Sequence, residues 1–346
     1  MAERNSEKNI ALFQAEKPSL ESYWRSVVLF GRNTASYKFS LAESLLDFAK
    51  QDKTTVSLDE LAKPFSGNIC RHIKKEERQA TNASSTFLEA CSDFVKEKIS
   101  HEQLINSTVN NGFRYVLDCF HKVNGEELPV RFYEKSGKQL ILTDDLFKVA
   151  GINNSINLYQ ENESRWNLVE TAWKLNISPD LLNVRYDDQS EILFIDENFK
   201  RKDITSARGA LDGYQKGKCF YCYDDIIVSD DSSNNCDVDH FFPHTLQHLM
   251  PEVNLNGVWN LVLACPNCNR GTNGKFAKVP DIKYLERLHK RNEFLISSHH
   301  PLRETIINQT GKTEQERAAF LRDIDRRAIN LLIHRWNIEE KHEPSF

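Results

Sequence analysis

Apolar residues recur at helical spacing behind capping residues along much of the chain. NTASYKFSLAESLLDFAKQ from Asn33, SLDELAKPFSGNICRHIKKEE from Ser57, SSTFLEACSDFVKEKI from Ser84 and HEQLINSTVNNGFRYVLDCFHKV from His101 each predict a helix, with a break at Pro64. LPVRFYEKSGKQLILT reads as a hairpin about Lys135-Ser136-Gly137, and LLNVRYDDQSEILFI, after Pro179, as a second pair of short strands. LYQENESRWNLVETAWKLN lies between them with the spacing of a further helix. DITSARGALDGYQKG predicts a helix ending by Gly217. DIKYLERLHKRNEFLIS, PLRETIINQT and EQERAAFLRDIDRRAINLLIHRW predict a helical tail, with Pro301 at a first-turn position. No internal repeat or low-complexity linker interrupts this order. The expected class is α+β: a mainly helical domain with small hairpins over residues 1–200, then a second domain over 201–346.

Composition narrows this picture. The 346 residues exceed the size at which single cores stop growing, which favours two domains. An apolar fraction of 40% with 27% charged residues describes a globular protein, and no apolar run has the length of a membrane-spanning helix. The opening MAERNSEKNIALFQAEKP has neither the order of a secretory signal nor a transit pattern, so a cytoplasmic location is expected, with a loose tip before Lys17-Pro18.

The net charge of −5 argues against a surface that grips nucleic acid everywhere. One local basic stretch stands out: Arg270, Lys275, Lys278, Lys283, Arg287, Lys290 and Arg291 outnumber Asp281, Glu286 and Glu293. Asp224, Asp225, Asp230, Asp231 and Asp237 make an acidic stretch that reads as an ordinary solvated face.

Eight cysteines in a chain expected in a reducing compartment must be read as metal ligands or core. Cys70, Cys91 and Cys119 fall on predicted helices as small apolar residues. Cys219-x-x-Cys222 and Cys265-x-x-Cys268 form two knuckles that together offer four thiolates to tetrahedral zinc. The βαβ pattern a redox Cys-x-x-Cys would need is missing. Zinc held by four thiolates has no open position, so it would be structural. Cys236 is not required for it.

Between the knuckles lie CDVDHFFPH and NGVWNLVLAC, and CPNCNRGTNGK closes the second. The order Asp239-His240, Asn260 before the second knuckle, and Asn269 directly after its last cysteine resembles the HNH nuclease superfamily with its ββα-metal fold. Among zinc-bearing versions it is similar to the phage recombination endonuclease VII family. The resemblance covers roughly residues 205 to 290. It implies phosphodiester hydrolysis leaving a 3′-hydroxyl and a 5′-phosphate.

Elementary chemistry reaches the same residues. Hydrolysis of a phosphodiester needs an activated water and a cation against the developing charge. His240 suits the base, since an imidazole accepts a proton near neutrality. Asp239 and Asn269 offer hard oxygen ligands for Mg²⁺, with Mn²⁺ as an alternative. Asn260 would fix the loop and orient the histidine. Lys275, expected at the start of the helix of a ββα unit, and Arg270 are candidate phosphate contacts. His244 and His248 depart from the small residues usual at this place in the superfamily. Phe241, Phe242 and Trp259 read as core, and His299 and His300 as helix-start residues. Outside this context an Asp-His step is an ordinary surface turn and an Asn in WNLV a strand-end hydrogen-bonder.

The expected function is therefore a Mg²⁺-dependent endonuclease with a structural zinc. Its expected substrate is DNA, double-stranded, in a setting such as defence, restriction or mobile-element processing. The N-terminal half would regulate, recruit a partner protein or form a homodimer. Two rivals stand beside it: an RNA-cleaving, toxin-like HNH nuclease, and a zinc-knuckle nucleic-acid-binding module that no longer reacts.

Overall fold

The computed structural model describes residues 19–346 except 83–84, 124, 153–154, 198–199 and 230–235. The expected loose tip, Asp230 and Asp231 lie outside the described residues. The elements are helices and small separate sheets, an α+β architecture. They divide into two compact units, one of residues 18–155 with 166–179, the other holding 156–165 with 180–346. Among the described residues no helix is long and apolar enough to cross a membrane.

The first unit begins with α1 (Leu20–Val28), α2 (Tyr37–Lys50), β1 (Thr55–Ser57) and α3 (Leu58–Ile73). Pro64 does not break α3, contrary to the sequence expectation. A Ser57/Glu60 capping box fixes its start, and burial of Leu61, Ala62, Phe65 and Ile69 holds the helix together past the missing donor. α4 (Thr86–Val95) follows, and then α5 (His101–Ser107), a π-turn over Thr108–Gly112 and α6 (Val116–Cys119). One long helix was expected over these last three. Asn110, Asn111 and Gly112, all weak helix formers, lie where it loosens. The short pair β2 (Lys122–Val123) and β3 (Glu126–Glu127) precedes the expected hairpin, β4 (Tyr133–Ser136) and β5 (Gln139–Leu142). Gly137 supplies its left-handed turn residue at φ +61°, and β1 pairs antiparallel with β5. α7 (Asp144–Ala150) then leads to α8 (Ser155–Lys174). In the core, the His72 ring stacks 3.5 Å from that of Trp166, and His72 Nδ1 lies 2.9 Å from the Glu170 carboxylate, which also accepts from Gln79. Buried charge is thus paired and bonded.

The second unit opens on an antiparallel sheet of β6 (Arg185–Asp187), β7 (Ile192–Glu197) and β8 (Lys200–Ser206). The expected boundary at residue 200 falls at the start of β8, within this sheet and within the stretch 180–346 of this unit. The helix expected from Asp203 starts instead as α9 (Ala207–Gln215), because residues up to Ser206 complete the ladder with β7. Gly217, at φ +71°, turns the chain into the first knuckle. β9 (Asp237–His240) pairs antiparallel with β10 (Leu261–Ala264), and α10 (Pro266–Arg270) carries the second knuckle. After β11 (Val279–Pro280) come α11 (Ile282–Ser297), α12 (Arg303–Thr310), α13 (Glu314–Leu332) and β12 (Arg335–Trp336), which pairs parallel with β11. α12 begins two residues beyond Pro301. Phe241, Phe242 and Trp259 are fully buried.

Candidate metal centre and active site

The cysteine cluster rests on backbone bonds that the knuckles make locally. Cys219 N donates to Asp224 O and Tyr223 N to Cys219 O, with Tyr223 at φ +60° to close the turn. In the second knuckle Pro266 starts α10, and Cys268 N and Asn269 N both donate to Cys265 O. Gln215 joins the two parts: its carboxamide donates to Leu263 O and accepts from Leu263 N, as a strand would.

The Sγ atoms of Cys219, Cys222, Cys265 and Cys268 all lie within 4.8 Å of one another, all buried and none in a disulfide. The Cys222 to Cys265 separation is 3.8 Å. Four thiolates at about 2.3 Å from a tetrahedral zinc would stand about 3.8 Å apart, so the donor set fits that ion. Cys265 N donates to Cys219 Sγ at 3.3 Å, a bond suited to a sulfur carrying negative charge. Cys236 is buried on its own and takes no part in the cluster.

β9 and β10 carry the sequence from this cluster to Asp239 and His240, with Val262 opposite Asp239 and Leu261 opposite His240. Asp239 is 5% exposed. Its Oδ2 accepts from Tyr221 Oη at 2.6 Å, and its Oδ1 lies 3.1 Å from Lys275 Nζ. Burial pushes the Asp239 carboxyl up, against the lowering effects of Lys275, Tyr221 and His240. Burial likewise holds the Tyr221 phenol well above its usual range, so it stays a donor.

Lys275 corrects the sequence reading. It belongs to the loop after α10, not to a helix start, and is fully buried with its ammonium also donating to His240 O at 2.9 Å and Phe276 O at 3.1 Å. It is an internal cation, not a phosphate contact on the surface. Its loop is tight: a Cβ on Gly274 would meet Asn269 O at 2.8 Å. Arg270 is exposed but bonds Asp237, as does Asn269 through Nδ2 at 3.1 Å. Among the described contacts Asn269 therefore bears on Asp237, two residues along β9 from Asp239.

His240 is held at one ring nitrogen and faced by a carboxylate at the other. Nε2 lies 2.9 Å from Asn256 Oδ1, a contact that suits the tautomer with the proton on Nε2 and the lone pair on Nδ1. Nδ1 faces Asp188 Oδ1 at 3.8 Å, and Tyr186 lies edge-on to the ring. Burial lowers the imidazole below its usual range, while Asp188, Asp239 and the Asn256 bond raise it and His244 lowers it further.

Among the described hydrogen bonds, the Asn260 side chain reaches neither Asp239 nor the His240 ring. Its Oδ1 accepts from Phe242 N at 2.8 Å, and its Nδ2 donates to Phe242 O at 3.0 Å and Leu255 O at 2.8 Å. The side chain thus binds the strand after His240 to the segment carrying Asn256. Arg291, from the basic stretch, is buried beside it and donates to Trp259 O and Leu261 O. Burial lowers its guanidinium to about 10. Arg287 is also internal, on the carbonyls of Phe220 and Tyr221. Much of that stretch is scaffold, leaving Arg270, Lys278 and Lys290 exposed.

Tyr221, Asn256, Asp188 and Asp237 escaped the sequence reading as site residues. Only Tyr221 and Asp237 had a signal, lying inside a knuckle and two residues before Asp239. Comparison with protein-family models, with curated proteins and with solved structures gave no match, so the functional reading rests on these side chains.

Proposed function

We propose that residues from about 205 to 290 form a zinc-scaffolded HNH nuclease centre that hydrolyses phosphodiester bonds, with DNA as the substrate. The observation that carries the reading is His240: its Nε2 is bonded to Asn256 and its Nδ1 faces the Asp188 carboxylate. Nδ1 would take the proton of the attacking water, and Asp188 would stabilise the imidazolium that results. Asn260 would keep the Asn256 segment in register with His240. Asp239 and Asn269, with Asp237 as a further oxygen donor, would hold Mg²⁺ or Mn²⁺. Such an ion would neutralise charge on the phosphate oxygens as the bond breaks. The four thiols would hold zinc, whose part is to join β10 and α10 to the Tyr221 knuckle.

A second reading, a zinc-bearing nucleic-acid-binding module without catalysis, draws on the Lys275 ammonium beside Asp239. That ion pair supplies to Asp239 the positive charge a bound metal would supply. Incubation of the purified chain with supercoiled plasmid, linear duplex and total RNA, with Mg²⁺ or in metal-depleted buffer, separates the readings. Mg²⁺-dependent cutting of DNA supports the nuclease. Cutting of RNA alone changes the substrate, and binding without cutting favours the module.

A further inference from the structure

Phe276 is held in a conformation that its residue type resists. Its φ is +46°, in the left-handed region that non-glycine side chains seldom occupy. The backbone there is fixed from both sides, with Phe276 N donating to Asn269 O at 2.8 Å and Phe276 O accepting from the Lys275 ammonium. The same ammonium bonds Asp239, so the ring stands one residue from the group that joins the loop to the candidate site. Despite this anchoring the side chain is 53% exposed. Strain of this kind survives where function requires the resulting geometry.

The surroundings point to a nucleic-acid strand. Lys278 is exposed on the same loop, and Arg270, exposed at the end of α10, is paired with Asp237. The Val279 to Arg335 pairing joins the segment that follows Phe276 to the segment that follows Ile333. Ile333 is also left-handed, at φ +67°, and is 72% exposed. Two exposed, bulky apolar side chains on left-handed backbone thus lie on the two segments that this bridge joins, with the exposed Lys278 two residues from Phe276. An unpaired base offers the matching chemistry: a flat apolar face to stack on the ring, on a backbone that the cations attract.

We propose that Phe276 is a stacking platform for an unpaired base of the nucleic-acid strand lying at the Asp239–His240 site, with Ile333 as its apolar neighbour. This rests on the nuclease reading above. A ring placed there would hold the strand by its bases while phosphates meet the site, independently of sequence.

The test is equilibrium binding by fluorescence anisotropy, with the full chain carrying His240→Ala so that no cutting intervenes, in metal-depleted buffer. The probes are single-stranded DNA, single-stranded RNA and duplex DNA, one set with 2-aminopurine. Adding Phe276→Ala should weaken single-strand binding roughly 5- to 100-fold and relieve 2-aminopurine quenching, while Phe276→Trp keeps both. The salt dependence should stay the same, since no phosphate contact is removed. Phe276→Gly should bind as weakly as the alanine variant yet raise the melting temperature, because glycine accepts the left-handed backbone. A purely structural Phe276 would give a lower melting temperature for both. The DNA and RNA arms identify which strand is preferred. Binding that is indifferent to Phe276→Ala overturns this inference and leaves the nuclease reading standing, whereas a chain that binds none of the probes overturns both.

Discussion

Lys275 Nζ lies 3.1 Å from Asp239 Oδ1, with the two side chains 1% and 6% exposed. Removing one member of such a buried pair leaves an uncompensated charge and costs about 3–5 kcal/mol. Lys275→Met keeps most of the volume and removes the charge. In metal-depleted buffer it should unfold well below the wild type in thermal melts. Added Mg²⁺ or Mn²⁺ should recover part of the loss, because a cation bound at Asp239 replaces the ammonium. A variant as stable as the wild type, with no response to metal, would mean that this pair does not hold the Asp239 charge.

The thiol cluster gives a sharper contrast. Purified protein should carry one zinc per chain by elemental analysis. Cys268→Ser should lose it and melt at much lower temperature, since a structural zinc contributes on the order of 10 kcal/mol. Cys236→Ser should keep the metal, because Cys236 lies outside the cluster. Equal zinc in the two variants would contradict the assignment of ligands.

Asn260 and Asn256 are expected to fail in different ways. Asn260→Ala leaves Phe242 N, Phe242 O and Leu255 O without their buried partner, and each unsatisfied group costs about 1–3 kcal/mol. Its denaturation midpoint should fall substantially. Asn256→Ala removes one part-buried bond from the half-buried Asn256 to His240, so stability should change by about 1 kcal/mol while nuclease activity falls. Equal stability losses would deny Asn260 its role as a tie between segments.

Stability should also fall on acidification. His121 is buried and accepts from Phe132 N at 2.9 Å, and burial, with Arg131 adding to it, lowers its imidazole to about 4. Burial lowers His300 as well, reinforced by Arg165 and Arg291. A histidine depressed in the fold binds its proton in the unfolded chain first. Stability is therefore retained above about pH 6.5 and lost as pH drops toward 4, by up to about 1.4 kcal/mol per pH unit for each such group. His121→Gln should flatten the pH dependence of the denaturation midpoint of its unit. An unchanged dependence would remove His121 from this role.

The parts legible in the sequence are those fixed by short-range pattern. The hairpin at Gly137, the strands on either side of Asp187 and the helices behind Ser57 and Asp281 follow from periodicity and capping. The cysteine pairs announce themselves because a knuckle needs its ligands three residues apart. What the pattern missed is tertiary. Tyr221 meets Asp239 across 18 residues of sequence and Lys275 meets His240 O across 35. Asp188 reaches His240 from the turn of a different sheet, and no local signal marks it. Lys275 looks like any solvated lysine until the loop after Asn269 folds it inward, and Pro64 is tolerated because packing outweighs one missing donor. The candidate letters were readable; the partners that orient them in the fold were not.

The central claim is that His240 Nδ1 is the base of a phosphodiester hydrolase. It is tested most directly by single-turnover cleavage of duplex DNA with Mg²⁺, comparing the wild type with His240→Ala at matched zinc content. The expected result is cutting by the wild type and a loss of at least about 100-fold in rate for the variant, with melting temperature and zinc unchanged. Undiminished cutting by His240→Ala would contradict the claim.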